Sequence, residues 1–286
     1  MKAAGGSDMR DEMRAQDRSR ATQQFVLLLI AGLCFALLAL PHRADGVEVD
    51  PELADVPSQD VTLGKDPNKR YFLIGPRTGA AAPAEGYKLL VVLPGGGGNA
   101  EFLPFVQRIS KHALPQEYLV AQLVAPKWSA DQPATWPTAK SRVAKMKFTT
   151  EEFLSAVIDD AAKRHKLDPR HCYTLSWSSG GPAGYAAALS NQKITGSFVA
   201  MSVFKPDQLP PLKQAEGKAF YLYHSSEDRI CPFRMAEQAQ KSLAGSKAKV
   251  ELKRYAGGHG WRGPVFDEIR TGIEWLEINH SAPPQP

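Results

Sequence analysis

Ser176-Trp177-Ser178-Ser179-Gly180 sits where an apolar run, Cys172 to Leu175, gives way to an alanine-rich run, Ala183 to Leu189. A strand that turns sharply into a helix lifts the serine at the turn out of the sheet edge, where its hydroxyl can act as a nucleophile in acyl transfer. Such a turn is tight, so the residues two before and two after the nucleophile must be small. Ser178 meets this with Ser176 and Gly180, whereas Ser179 would put Trp177 in a position that tolerates only the smallest side chains. Ser176 itself would be flanked by Thr174 and Ser178. A serine hydroxyl is a poor nucleophile at neutral pH and needs a base with an orienting carboxylate. The apolar run from Phe220 enters a polar loop that carries Asp228, and Tyr255-Ala256-Gly257-Gly258-His259-Gly260-Trp261 ends another predicted strand in glycines around a histidine. The order along the chain is Ser178, Asp228, His259. Asp207 is a rival acid after the preceding strand, and Glu227 is a second. His224 precedes the acid and reads as a loop histidine rather than the base.

A fourth motif, Leu93-Pro94-Gly95-Gly96-Gly97-Gly98-Asn99, follows the apolar strand Leu89 to Leu93. Gly95, Gly97 and Ala100 fit G-x-G-x-x-A, a dinucleotide fingerprint. Glycines equally suit a loop whose backbone must approach a substrate carbonyl closely and adopt positive φ. The serine, acid and histidine downstream, together with the lack of a clear acidic strand end at the fingerprint's spacing, favour the second reading.

In this order the four motifs resemble those of the α/β-hydrolase superfamily, over roughly residues 70 to 280. Within it they are most similar to the lidless esterases: the phospholipase/carboxylesterase, dienelactone-hydrolase-like and polyhydroxybutyrate-depolymerase-like groups. The resemblance implies a serine hydrolase cleaving carboxylic esters through an acyl-enzyme, with Ser178 as nucleophile, His259 as base and Asp228 as orienting acid. It implies an oxyanion hole from the amide of Ser179 and one from the glycine loop, Gly96 first and Gly97 second. Ser176 stands where glycine is usual, Ser225 replaces the usual glycine after His224, and Pro94 stands where many relatives have histidine. A serine peptidase of the prolyl-oligopeptidase-like type shares the triad, but the chain has no room for a propeller-sized domain. A non-catalytic binding module on the same fold predicts a broken triad, and all three side chains are present.

The elements that must position these residues are legible in part. The 286 residues, 43% hydrophobic, suffice for one sizeable α/β core. Leu89 to Leu93 and Tyr118 to Val124 read as buried strands around a helix-like segment, Phe102 to His112, and such alternation makes a mostly parallel central sheet with helices on both faces. Thr149 and Glu152 form a capping box for a helix over Glu151 to Lys166, whose apolar stripe is Phe153, Leu154, Val157, Ile158 and Ala161. Ile194 to Met201 gives a strand, Arg234 to Leu243 a helix, and Phe266, Ile269, Ile273 and Leu276 the stripe of a closing helix. Tyr71 to Ile74 reads as an edge strand, and 46–69 as a polar linker. The connection from Ser202 to Lys218 is short and proline-rich, so no large cap domain is expected. Lys127 to Phe148, the longest connection, reads as a wall of the substrate site. Trp128 and Trp136 on it, with Trp177 and Trp261 beside the triad, read as an apolar or aromatic substrate subsite.

Residues 1–24 read as a charged cytoplasmic region and 25–45 as a signal peptide or membrane anchor. Phe25 to Leu40 is uncharged, preceded by basic and followed by acidic residues, and Ala44-Asp45-Gly46 offers a small-x-small cleavage site. The catalytic domain, 70–280, is thus expected in the periplasm or secreted, or tethered by residues 25–40. Membrane contact is expected only through that segment, and 281–286 reads as a frayed tail. The formal net charge of +5 falls to about +4 once residues 1–45 are set aside, too mild to argue for nucleic acid. Lys140, Arg142, Lys145 and Lys147 read as a solvated face, with anionic substrates or surfaces as the sharper alternative. Cys172 and Cys231 are expected as unpaired, buried thiols at opposite ends of the sheet. The histidines lack metal-ligand spacing, so neither metal nor cofactor is expected and the partner is a small-molecule or polymer ester.

Overall fold

A computed structural model describes residues 50–281. The predicted regions 1–24 and 25–45, residues 46–49 of the linker and 282–286 of the tail lie outside the described residues. Strands β1 (Ser58–Thr62), β2 (Arg70–Ile74), β3 (Tyr87–Leu93), β4 (Tyr118–Leu123), β5 (Leu167–Trp177), β6 (Gly196–Ala200), β7 (Ala219–Ser225) and β8 (Lys249–Tyr255) form one sheet. Its order is β1-β2-β4-β3-β5-β6-β7-β8. The β1 and β2 pairings are antiparallel, and all others are parallel.

Parallel strands require crossovers, and five helices supply or follow them: α1 (Leu103–His112), α2 (Thr150–Arg164), α3 (Gly181–Ser190), α4 (Phe233–Gly245) and α5 (Val265–Asn279). Alternation along β3 divides the core. Leu89, Val91 and Leu93 pack with α2, α3 and α4, while Leu90 and Val92 face α1 and α5 on the other side. The predicted capping box opens α2, with Thr149 Oγ1 accepting the Glu152 N–H at 3.1 Å and Glu152 accepting the Thr149 N–H at 2.7 Å.

The polar linker is corrected by the structure: part of 46–69 belongs to the sheet. β1 buries only Val61, so its sequence shows no apolar alternation. Its place comes from backbone pairing to β2 and an Arg70–Asp60 ion pair at 2.7 Å. Tyr71 to Ile74 consequently lies one strand in from the edge and is fully buried. The connection from β6 to β7 holds only two short 3-10 turns, Pro206–Gln208 and Leu212–Ala215, and no cap domain. Among the described residues no helix is long and apolar enough to cross a membrane.

The parallel strands deliver their loops to one edge of the sheet, where the ends of β3, β5, β7 and β8 carry the four motifs. Ligand sites of open α/β sheets lie at this carboxyl edge.

Candidate active site

Ser178 follows the end of β5 and opens a single 3-10 turn, Ser178–Gly180, that runs directly into α3. Its φ is +51°, the left-handed region that non-glycine residues rarely occupy. Close approaches hold it there. A Cβ at Gly180 would lie 2.3 Å from the Leu93 carbonyl oxygen, so only glycine fits. A Cβ at Gly184 would lie 2.2 Å from Ser176 Oγ. The extra atoms of Ser176 are thus accommodated by a glycine in the facing helix. Ser202 Oγ donates to the Ser178 carbonyl at 2.7 Å, pinning the turn from the end of β6.

His259 Nε2 lies 3.0 Å from Ser178 Oγ, and Nδ1 lies 2.8 Å from Asp228 Oδ2. The Asp228 carboxylate is buried, and Oδ1 accepts the N–H groups of Ile230 and Cys231 at 2.8 Å each. Burial works against its charge, but the Cys231 amide, the His259 imidazole and the Ile230 amide outweigh that and hold the carboxyl below its ordinary range. An ionised carboxylate can only accept, so the His259 proton resides on Nδ1 and Nε2 is free to accept from the serine hydroxyl.

Asp207 sits on an exposed turn and Glu227 is exposed, so neither takes the acid's place. His224 is buried, with Nε2 donating to the Cys231 carbonyl at 2.7 Å and lying 3.4 Å from Asp228 Oδ2. Burial lowers its affinity for a proton, and it acts as a neutral strut under the acid loop. Ser225, noted in the sequence only as a departure from glycine, ties two loops together. Its Oγ accepts the N–H of Glu227 and that of Gly258, both at 3.1 Å. Tyr255 adds a second tether by donating to the Gly260 carbonyl at 2.9 Å.

In the glycine loop the Gly98 N–H donates to the Gly95 carbonyl at 3.0 Å, leaving Gly96 and Gly97 as the corners of a tight turn. Gly96 has φ +56°, which favours glycine. Its carbonyl accepts the hydroxyls of Ser179 at 2.8 Å and Thr135 at 2.9 Å, which fastens the loop to the residue after Ser178.

Sequence comparison finds no matching protein family and no matching curated protein. The three-dimensional comparison is positive. The chain is similar to the crystal structure of a Bacillus cereus carboxylesterase, with 20% identity, 68% of this chain and 89% of that one covered, and a TM-score of 0.52. A Mesorhizobium loti carboxylesterase is 17% identical over 78% of this chain and 98% of its own, with a TM-score of 0.56. Esterase 2 of Thermogutta terrifontis, phosphoramylated by tabun, is 14% identical over 80% of this chain and 94% of its own, with a TM-score of 0.56. The fold is that of the α/β-hydrolases.

Within this hydrolase fold the tryptophans are distributed otherwise than the sequence suggested. Trp128 is 9% exposed and packs edge-on against Phe148. Trp136 is 3% exposed, and its indole N–H donates to the Pro94 carbonyl at 2.8 Å. Trp177 is 5% exposed, enclosed by Phe102, Phe105 and Trp261. Trp128 and Trp136 belong to the packed interior because the long connection folds back to buttress the glycine loop, and Trp177 because α1 and the segment before it cover it on the other face of the sheet. Trp261 alone stays half-buried, stacked on Tyr223.

Cys172 and Cys231 are free and buried, and burial pushes the first thiol up to about 12 and the second to about 11. Cys231, Asp228 and His259 could together offer metal-ligand atoms within 4.8 Å of one another, but the acid and the imidazole are already bonded to each other.

Proposed function

We propose that this chain is a serine hydrolase that cleaves carboxylic esters through an acyl-enzyme. The observation that carries the reading is the continuous run of hydrogen bonds from Ser178 Oγ through His259 to a buried, ionised Asp228. Ser178 Oγ attacks the ester carbonyl while His259 Nε2 takes its proton. The tetrahedral intermediate collapses as Nε2 returns that proton to the leaving alcohol. Water, activated by the same nitrogen, then releases the acid and restores the serine.

The developing oxyanion is met by the Ser179 amide and by the glycine loop. Because the Gly96 carbonyl is held toward Ser179 and Thr135, and a trans peptide sets N–H and C=O antiparallel, the Gly97 N–H faces away from Ser179. That orientation supports the Gly96 amide, ahead of Gly97, as the second donor in this reading. Each such donor lowers the barrier by roughly 3 to 4 kcal/mol. The N-terminus of α3, with Pro182 in its first turn, adds a favourable dipole.

The fold relatives named esterases support this chemistry, and the capture of the Thermogutta enzyme by tabun suggests the assay. A fluorophosphonate should label the protein, and Ser178→Ala should abolish both labelling and ester hydrolysis. Equal labelling of both proteins, or of neither, rejects the assignment. Chromogenic esters of graded acyl length, run beside dipeptide amides, separate esterase from peptidase. The uncharged run 25–40 further supports a location beyond the cytoplasmic membrane, exported or tethered, which cell fractionation of the full chain tests.

A further inference from the structure

A cleft of about 550 Å³ opens beside the imidazole, its wall including His259, Gly257, Arg229, Arg262, Glu227 and Ile230. Which half of the substrate it receives follows from the chemistry. The leaving oxygen must come within reach of His259 Nε2, the atom that returns the proton, so a cleft with His259 in its wall takes the alcohol half.

The cleft has a distinct chemical character. Arg262 Nε donates to the Gly257 carbonyl at 3.0 Å. Its side chain lies across Gly257, where a Cβ would come within 3.4 Å of Arg262 Cγ. This anchors the guanidinium by its Nε edge and leaves the two terminal nitrogens for a ligand. Neither Arg262 nor Arg229 takes part in an ion pair among the described residues. Glu227 lines the same cleft and offsets one of the two cations, while Asp228 is buried and engaged. Ile230 is 69% exposed, far more than a large apolar side chain of the core edge needs to be.

We infer that the alcohol released by this enzyme carries an anionic group, a carboxylate or a phosphate, on a short apolar stem. The stem lies along Ile230 and the anion meets the guanidinium groups of Arg262 and Arg229. A guanidinium presents paired N–H donors that match either oxyanion. The inference rests on the ester-hydrolase reading and deepens it.

The test uses the full chain and acetate esters of three phenols: 4-hydroxyphenylacetate, its uncharged amide, and 4-hydroxybenzylphosphonate. The methylene insulates the phenol, so the leaving groups differ little in reactivity. At low ionic strength the carboxylate or phosphonate ester should exceed the amide in kcat/KM by about tenfold, equivalent to about 1.4 kcal/mol, chiefly through KM. The preference should fade near 1 M salt, where the Debye length is ~3 Å. Arg262→Gln and Arg229→Gln should each lower the ratio, and Glu227→Gln should raise it. Preference for one anion alone names that anion as the recognised group. A wild-type ratio at or below one, or a ratio that neither arginine substitution changes, overturns the inference while hydrolysis of the amide ester leaves the enzyme reading intact. No turnover of any ester, with no fluorophosphonate labelling, overturns both.

Discussion

Ser225→Ala removes the tie between the acid loop and the histidine loop without touching a reacting atom. The histidine loop is pliable, since Gly257, Gly258 and Gly260 all have positive φ, at +107°, +80° and +111°, and apart from the His259–Asp228 bond its other ties reach Gly257 and Gly260 from Arg262 and Tyr255. Ser225 Oγ accepts two neutral N–H donors, and each such bond contributes about 1 kcal/mol net. Glu227 is exposed and Gly258 half-buried, so water replaces part of the loss. The expected destabilisation is about 1 to 2 kcal/mol, and for a domain of this size that lowers Tm by roughly 2 to 8 °C. Catalysis should suffer more than stability. A displacement of the imidazole by about 1 Å costs on the order of 100-fold, so kcat should fall roughly 10- to 100-fold with little change in KM. Thermal unfolding and steady-state hydrolysis of a chromogenic acetate ester measure the two effects. A Tm that falls while kcat stays at the wild-type value would show that the tie stabilises the fold without placing His259, and the reasoning would be refuted.

Asp228→Asn should retain the amide contacts to Oδ1 but remove the acceptor that fixes the imidazole proton on Nδ1. A loss of about 10⁴-fold in kcat is expected with the fold intact, and activity within tenfold of wild type would point to another acid. Lys218 offers a test of stability against pH. It is 6% exposed, donates to the carbonyls of Asn191 at 2.8 Å and Ile194 at 2.6 Å, and burial pushes its ammonium down to about 8 from 10.5. Between those values the unfolded chain holds a proton that the folded chain has released. This group therefore makes folding more favourable as pH rises from 8 to 10.5, by at most about 3 kcal/mol. Lys218→Met should remove that slope from the urea-unfolding free energy, and identical slopes in the two proteins would reject the assignment.

The carboxyl edge of the sheet was legible because each motif there combines a strand signal with a chemical group. Ser178, Asp228 and His259 each follow an apolar run, and small residues or glycines mark the turns. β1 was hidden for the opposite reason. An edge strand whose side chains mostly face water is held by backbone pairing, which leaves no pattern in the side chains. Trp128 and Trp136 misled because an aromatic residue in a long connection carries the same letter whether it lines a cleft or fills the core. Only the fold-back of 127–148 onto the glycine loop, through Trp136 to Pro94 and Thr135 to Gly96, decides between them. Ser225 was visible as an exception, but its meaning required knowing that Gly258 lies opposite it.

Ser176 shows what the requirement for smallness at the turn consists of. The turn does not demand glycine two residues before Ser178 as such; it demands that strand and helix together contribute no more than a hydroxymethyl to the space between them. Ser176 supplies that group, and Gly184 supplies nothing, as a Cβ there would reach to 2.2 Å from the hydroxyl oxygen. Gly180 differs, because its obstacle is the Leu93 carbonyl in the backbone of β3 and cannot turn aside. A left-handed non-glycine residue carries strain on the order of 1 to 3 kcal/mol. At Ser178 that strain is sustained by the packing around the turn: the Leu93 carbonyl against Gly180, the Ser176 side chain against Gly184, and the Ser202 hydroxyl, just beyond β6, on the Ser178 carbonyl. Ser178 is raised because the sheet leaves it no other place to go.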